Sequence, residues 1–282
     1  MKDTILFGDC RKTISTITEP VKMCVTSPPY YGLRDYGGEE KQIGMEESPE
    51  KYVDQLVEVF RNVREVLTDD GTLWLNIGDS YYNYRSDGNY PKQTVSKTRQ
   101  DLPTKTPVRG NKLEGYKSKD LIGIPWLLAF ALRKDGWYLR QDIIWNKPNP
   151  MPESVRDRCT KSHEYIFLFS KSKNYYFDVD AIKESTIDGK GLKRKKSVWT
   201  VNTKPYKGAH FATFPPELIE PCIMAGSQKG DIILDPFIGS GTTAMVAKSL
   251  GRHYIGCELH ESYNDLIQNR VSQYTINLED FV

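Results

Sequence analysis

Several things are scarce in this 282-residue sequence, and each scarcity narrows its class. The five cysteines, Cys10, Cys24, Cys159, Cys222 and Cys257, stand far apart with no C-x-x-C pair. That excludes a disulfide framework and a zinc site of the usual spacing. Four histidines are equally scattered, so no metal is expected. The most apolar stretch, Ile124 to Leu132, is too short to span a bilayer. Met1 to Cys10 lacks the long apolar core of a secretory signal. No membrane role is therefore expected, and a reducing cytoplasm suits the unpaired thiols. Internal repeats are missing too. Charge of one sign is not in excess either: 39 Lys and Arg stand against 37 Asp and Glu, a net +2. A balance this near zero leaves any nucleic-acid contact to local clusters. The apolar share of 38% and charged share of 27% are those of an ordinary globular chain, long enough to bury a sizeable core.

What is present begins with TSPPYYGLRDYG, Thr26 to Gly37, directly after the apolar run Val21 to Val25. Each proline fixes its own φ, removes a donor and pushes the residue before it out of the helical region. A strand that ends in Ser27-Pro28-Pro29-Tyr30 would hold its carbonyls and the Tyr30 ring in one geometry. An ordinary strand-to-loop break would use the same residue types. Further on, Ser48-Pro49 predicts a helix start, and Val53, Leu56, Val57, Phe60, Val63 and Leu67 recur at helical spacing behind it. Asp69-Asp70-Gly71 reads as a turn and Thr72 to Ile77 as a strand buried on both faces. That order is a βαβ unit and implies a parallel sheet. Tyr81 to Lys119 is polar and aperiodic, a long loop or insertion. A helix follows over Asp120 to Arg133, then strands over Trp137 to Trp145 and Tyr165 to Phe169, the latter turning into a short strand at Tyr175 to Phe177. Ile182 to Gly208 is again polar and basic. The pattern then predicts a helix from Pro215-Pro216 through Met224, a strand over Asp231 to Leu234, a helix over Thr242 to Leu250, a strand over His253 to Cys257 and a last helix over Glu261 to Val271.

Asp235-Pro236-Phe237-Ile238-Gly239-Ser240-Gly241-Thr242 is the second constellation: an apolar strand end, a glycine turn and a helix start. Glycines let a ligand approach the backbone, and the helix N-terminus offers unpaired N–H groups. About twenty residues on, the next strand ends in Glu258, where a carboxylate can accept both hydroxyls of a ribose. Taken together, glycine turn, acid and flanking elements point to a nucleoside-binding site.

Asp235 to Gly241 resembles the S-adenosyl-L-methionine motif of amino-group DNA methyltransferases, and Thr26 to Tyr30 resembles their catalytic motif, in which Asp, Asn or Ser precedes Pro-Pro and an aromatic. The catalytic motif comes first here, an order similar to the permuted β group of that family. Phe7-Gly8-Asp9 resembles the acidic strand end near the cofactor adenine, and His210 to Pro215 the segment that precedes the cofactor motif. The resemblance spans most of the chain and implies one methyltransferase domain over 1–282. Its fold would be a doubly wound, mostly parallel, seven-stranded α/β sheet with an antiparallel edge hairpin, Rossmann-like, with both motif turns at the switch point. The polar basic segments at about 81–119 and 182–208 become candidate DNA-recognition insertions.

The implied reaction moves a methyl group from S-adenosyl-L-methionine to an exocyclic amine of a base flipped out of double-stranded DNA. The side chain of Ser27 and the carbonyl of Pro28 would accept from the amine, Pro29 would stiffen the turn and Tyr30 would stack on the base. Asp235, Pro236, Phe237, Gly239, Ser240 and Gly241 would hold the methionine and sulfonium end, Glu258 the ribose and Asp9 the adenine amino group. Asp9 could equally be a turn residue, and Thr242 either donates to the cofactor carboxylate or caps its helix. Ser at the first motif position favours cytosine N4 in this family, with adenine N6 the alternative. A non-catalytic DNA-binding protein and an RNA or protein methyltransferase are the remaining readings. The resemblance also implies a bacterial, archaeal or phage-encoded cytoplasmic enzyme, and leaves open a homodimer and a restriction nuclease acting on the same site.

Two segments carry the basic residues: Lys92 to Lys119 and Lys183 to Lys207 each hold eight Lys or Arg against two acids. A solvated charge run is the plain explanation for either, and their place beside the methyltransferase motifs suits contact with phosphates. Which of them meets base edges does not follow from the sequence.

Overall fold

The computed structural model describes residues 1–32, 42–82, 113–186, 188–204 and 214–279. β1 (Thr4–Phe7) leads into α1 (Cys10–Thr13), a 3-10 turn and β2 (Val21–Thr26). After the Pro28-Pro29 turn come α2 (Pro49–Val66) and β3 (Leu67–Ile77). The middle of the chain supplies α3 (Ile124–Lys134), β4 (Tyr138–Asn146), β5 (His163–Ser170), the small pair β6 (Glu184–Ser185) and β7 (Leu192–Lys193), and β8 (Val198–Thr200). Last come α4 (Pro216–Gly226), β9 (Ile232–Asp235), α5 (Thr242–Ser249), β10 (His253–Glu258), a 3-10 turn and α6 (Asn264–Glu279).

The large sheet has the order β1-β10-β9-β2-β3-β5-β4-β8. Strands β1 to β3 with β9 and β10 pair in parallel, and β5 runs antiparallel to both β3 and β4. Alternation along each strand explains why helices cover both faces. Cys24, Leu73, Leu75, Phe167 and Phe169 point to one core, shared with Leu56 and Phe60 of α2 and Leu128 of α3. Their neighbours Met23, Val25, Trp74, Ile166 and Leu168 point to a second core, with Leu218 of α4, Val246 of α5 and Ile267 of α6. The doubly wound α/β class is as expected. No helix among the described residues is long and apolar enough to cross a membrane.

Several details differ from the sequence reading. The sheet has eight strands rather than seven, because β8 adds in parallel to β4 at the edge. Its Trp199 is 5% exposed and lies 6.5 Å from the Trp74 ring, so part of the supposed insertion 182–208 is core. β5 pairs antiparallel with β3 and β4, not with a strand over Tyr175 to Phe177; the Tyr176 N–H instead donates to the Asp70 carbonyl at 3.0 Å. Asp69-Asp70-Gly71 lies inside β3, as a bulge opposite Lys22 between the Val21↔Leu67 and Met23↔Thr72 pairs. α3 begins at Ile124 rather than Asp120: Asp79 takes the N–H groups of Gly123 and Ile124 on one carboxylate oxygen, both at 3.0 Å, and fixes the start there.

Candidate active site

The chain leaves β9 toward β10 on one side and β2 toward β3 on the other, so the gap above β9 and β2 is a topological switch point. Both sequence motifs start there. Thr26 at the end of β2 donates to Asp235 Oδ1 at 2.5 Å, across the β2–β9 boundary. Thr243 of α5 donates to the other oxygen at 2.6 Å, and the Phe237 N–H to Oδ1 at 3.0 Å. Asp235 is 2% exposed, and burial pushes its carboxyl up to about 6 against these three hydrogen bonds. Its oxygens thus tie the two motif turns together. Behind the turn, Gly241 caps α5 at φ 82, and a Cβ there would meet Ile267 of α6 at 3.0 Å. Only glycine fits that conformation cheaply.

Ser27, Pro28, Pro29 and Tyr30 all line one pocket, together with Asp9, Asp235, Pro236, Phe237, Gly239, Thr242 and Glu258. The proline turn is fastened from below: Tyr52 of α2 donates its hydroxyl to the Pro29 carbonyl at 2.8 Å. Tyr30 donates to Glu164 Oε2 at 2.6 Å. Burial raises the Tyr30 phenol well above its usual range, and the Glu164 charge adds to that. Gly78 lies against this ring; a Cβ there would fall 2.8 Å from Tyr30 Cε2 and 3.2 Å from the Glu164 carboxyl. The absent side chain is what lets ring and carboxylate pack together.

Elsewhere in the pocket lining, Glu258 is 8% exposed, and burial pushes its carboxyl up to about 7, opposed by the N–H groups of His260, Gly239 and Leu259. Asp9 caps α1 through the Arg11 N–H at 3.0 Å and receives the Arg11 guanidinium on both oxygens. Burial acts upward on this carboxyl, but Arg11 outweighs it and holds the group below its usual range. The carboxylate of Asp9 is thus already engaged by its own chain, although it borders the pocket. Ser240 and Gly241 stand behind the pocket wall rather than on it; Ser240 is fully buried and bonded to Arg270 of α6. The residues fit a nucleoside-bearing sulfonium ligand on two counts. Thr242 Oγ1 and His260 Nε2 are buried polar atoms with no hydrogen-bond partner, both on pocket residues. The apolar lining from Ile43, Phe214, Phe237 and Ile238 supplies surface for a flat ring.

Sequence reasoning missed Gln42, Ile43, His260 and Tyr263 in the lining, and Asn76, Lys147 and Glu164 beside Tyr30. His260 lies two residues past Glu258 and was within reach of a local argument. The others come from distant segments that only the fold brings together. Of the basic residues, Lys92, Lys97, Arg99, Lys105, Arg109, Lys112 and Lys207 lie outside the described residues, as do His210 to Thr213. The ends of the 81–119 segment meet: the Tyr82 N–H donates to Asp120 and the Lys119 N–H to Tyr82, each at 2.8 Å. Several described lysines have acidic neighbours, including Lys119 with Asp157, Lys183 with Asp180, and Lys193 and Lys195 with Glu184. The local excess of charge is smaller than the bare count.

A sequence model of a family described as DNA methylase (N6_N4_Mtase) matches residues 21–269. The Type II methyltransferase M.Cfr9I of Citrobacter freundii is 49% identical over 280 residues, which covers 98% of this chain and 89% of that protein. The Type II methyltransferase M.SmaI of Serratia marcescens is 50% identical over 273 residues, 95% of this chain and 90% of that one. Among solved structures, the PvuII DNA methyltransferase (cytosine-N4-specific) superposes with a TM-score of 0.69 at 18% identity, covering 98% of this chain and 91% of its own. A complex of M1.HpyAVI with S-adenosyl-L-methionine has a TM-score of 0.60 at 18% identity, covering 95% and 98%.

Proposed function

The chain belongs to the DNA methylase family of amino-group methyltransferases, and from that premise we propose that it transfers a methyl group from S-adenosyl-L-methionine to the N4 amine of a cytosine flipped out of double-stranded DNA. The observation that carries this reading is the single pocket lined by both Ser27–Tyr30 and the glycine turn after β9, with Thr26 and Asp235 holding the two turns together. The cofactor supplies an electrophilic methyl group on a sulfonium. An exocyclic amine is a poor nucleophile because its lone pair is delocalised into the ring. Ser27 Oγ and the Pro28 carbonyl accept from its two N–H groups and so turn the lone pair out of the ring plane. The N–C bond forms as the S–C bond breaks, and the amine sheds its extra proton to solvent. A hydroxyl is too weak a base to take that proton outright, so these residues act by fixed position. Tyr30 offers its ring face to the base. Thr242, His260 and Glu258 are the groups that would hold the polar parts of the cofactor.

Ser27, at the position where Asp goes mostly with adenine N6 in this family, favours cytosine over adenine. The basic residues of 81–119 and 182–208 are proposed to meet the DNA backbone. The reading extends to restriction–modification, with a nuclease acting on the same sequence. Mass spectrometry of nucleosides from DNA incubated with the protein and labelled cofactor tests it. Label in N4-methylcytosine is the expected result. Label in N6-methyladenine would overturn the base assignment while keeping the site, and no label on diverse genomic DNA would overturn the function.

A further inference from the structure

We propose that the loop between β4 and β5, residues 147–162, is a DNA-contact element whose tip, Met151, inserts into the base stack where the target base has left it. The proposal rests on the base-flipping reading given above. Strand directions place the loop. β5 runs antiparallel to β3 and to β4, so β4 runs with β2 and β3 and ends at the same edge of the sheet as Thr26 and Ile77. The pocket lies at that edge, lined by Ser27 to Tyr30. Side-chain links then hold the loop between the pocket and the 81–119 segment. At its start Lys147 pairs with Glu164, which takes the Tyr30 hydroxyl. Near its end the Arg158 guanidinium lies 3.8 Å from the centre of the Tyr81 ring, and Asp157 takes Lys119 at 2.6 Å.

Met151 is 86% exposed, the most exposed large apolar side chain among the described residues. A lone exposed methionine is ordinary on a protein surface, but this one is held out from both sides. Before it, Asn149 is tied to Thr203: its amide donates to the Thr203 carbonyl at 3.1 Å, its Oδ1 accepts from the Thr203 N–H at 2.9 Å, and its carbonyl accepts from the Thr203 hydroxyl at 3.3 Å. After it, Glu153 takes the Arg158 guanidinium at 2.6 and 3.2 Å and the Lys161 N–H at 3.1 Å. Between these clamps Pro150 and Pro152 flank the methionine and stiffen its backbone. The tip is thus kept from folding back, and its side chain stays in water until something covers it. A thin, unbranched thioether suits the gap between base pairs, and Met is among the side chains that serve as such wedges. Charge names the occupant. The loop carries Lys147, Arg156, Arg158 and Lys161 against Glu153 and Asp157. Lys147 and Arg158 are paired with carboxylates, whereas Arg156 and Lys161 stand in no salt bridge among the described residues. An apolar tip beside two uncommitted cations fits a duplex, with phosphates for the cations and stacked bases for the tip.

The test compares methyl transfer by wild type, Met151→Ala and Met151→Leu on two duplexes that carry one site methylated by the wild type. One duplex is intact; the other lacks the base opposite the target, so its target base opens at less cost. Met151→Ala should lower kcat/KM about tenfold on the intact duplex and stay within about twofold of wild type on the other. Met151→Leu keeps the apolar volume and should match wild type on both. An exposed side chain holds little of the fold together, so Tm and the cofactor Kd should not move. An unchanged rate on the intact duplex, or an equal loss on both, would overturn the proposal. Arg156→Ala gives an independent readout: the salt dependence of DNA affinity should lose about one unit of log–log slope. An unchanged slope would take the loop off the DNA and overturn the proposal as well. Failure to find any duplex that the wild type methylates would instead overturn the function proposed above, and this inference with it.

Discussion

Glu258→Gln should stabilise the cofactor-free protein at high pH and weaken its hold on the cofactor. In the unfolded chain the carboxyl titrates near 4.5, while in the folded protein burial pushes it up to about 7. Between those values the folded state binds more protons than the unfolded state, so stability falls as pH rises through that window. Below the window the carboxyl is neutral in both states and costs nothing. Above it the full cost is present: a span of roughly 2.5 pH units at about 1.4 kcal/mol each gives about 3.5 kcal/mol, of which about 3 kcal/mol develops above pH 4.5, where the unfolded carboxyl is already half ionised. At 8% exposure little of this is screened by solvent. Glutamine keeps an oxygen for the His260 N–H, now 3.0 Å from Oε1, and removes the titration. Its amide hydrogens carry a cost of their own, but that cost is the same at every pH. The stability difference between variant and wild type should therefore move by about 3 kcal/mol toward the variant between pH 4.5 and pH 8.5. Urea unfolding at the two pH values measures this directly, because all other titrations cancel in the difference. The cofactor reverses the sign. On the proposed assignment the ribose hydroxyls would donate to the ionised carboxylate, so wild-type affinity should tighten as pH rises to about 7 and then level off, whereas Glu258→Gln should show no such slope by calorimetry. A stability difference equal at both pH values would refute the reasoning.

Thr26→Val and Thr243→Val each remove a donor from the buried Asp235, and each should cost about 1–3 kcal/mol. Because the Asp235 carboxyl is already raised to about 6, losing a donor raises it further, so the loss should be larger at pH 8 than at pH 5 in urea unfolding. Gly78→Ala places a methyl 2.8 Å from the Tyr30 ring. It should slow methyl transfer more than tenfold and leave the cofactor Kd in place; unchanged turnover would mean that the ring position does not matter. Ser48→Ala removes the cap of α2, whose Oγ accepts from the Lys51 N–H at 3.3 Å. It should cost about 1 kcal/mol of stability with no change in kcat.

The elements that the sequence made legible share one property: their signals are local. α2 announces itself through Ser48, Pro49 and a strict apolar period, and its side chain and backbone do what those residues dictate. β2 and β9 are short apolar runs cut off by Pro or Gly, and both end where their motifs begin. What stayed hidden is what only the sheet order assembles. β8 is three residues long, and nothing in Val198-Trp199-Thr200 says that Trp199 will be buried against Trp74. Asp235 reads as a cofactor ligand, yet its oxygens are taken by Thr26, 209 residues away in sequence, and by Thr243. Glu164 lies 134 residues from Tyr30 and belongs to neither motif. Each of these is a polar group made affordable inside the protein by a partner from another strand, and such partners carry no spacing that a motif could record. The motifs name the atoms proposed to meet the reactants; the atoms that keep them in place must be sought on the neighbouring strands, here β3, β4 and β5.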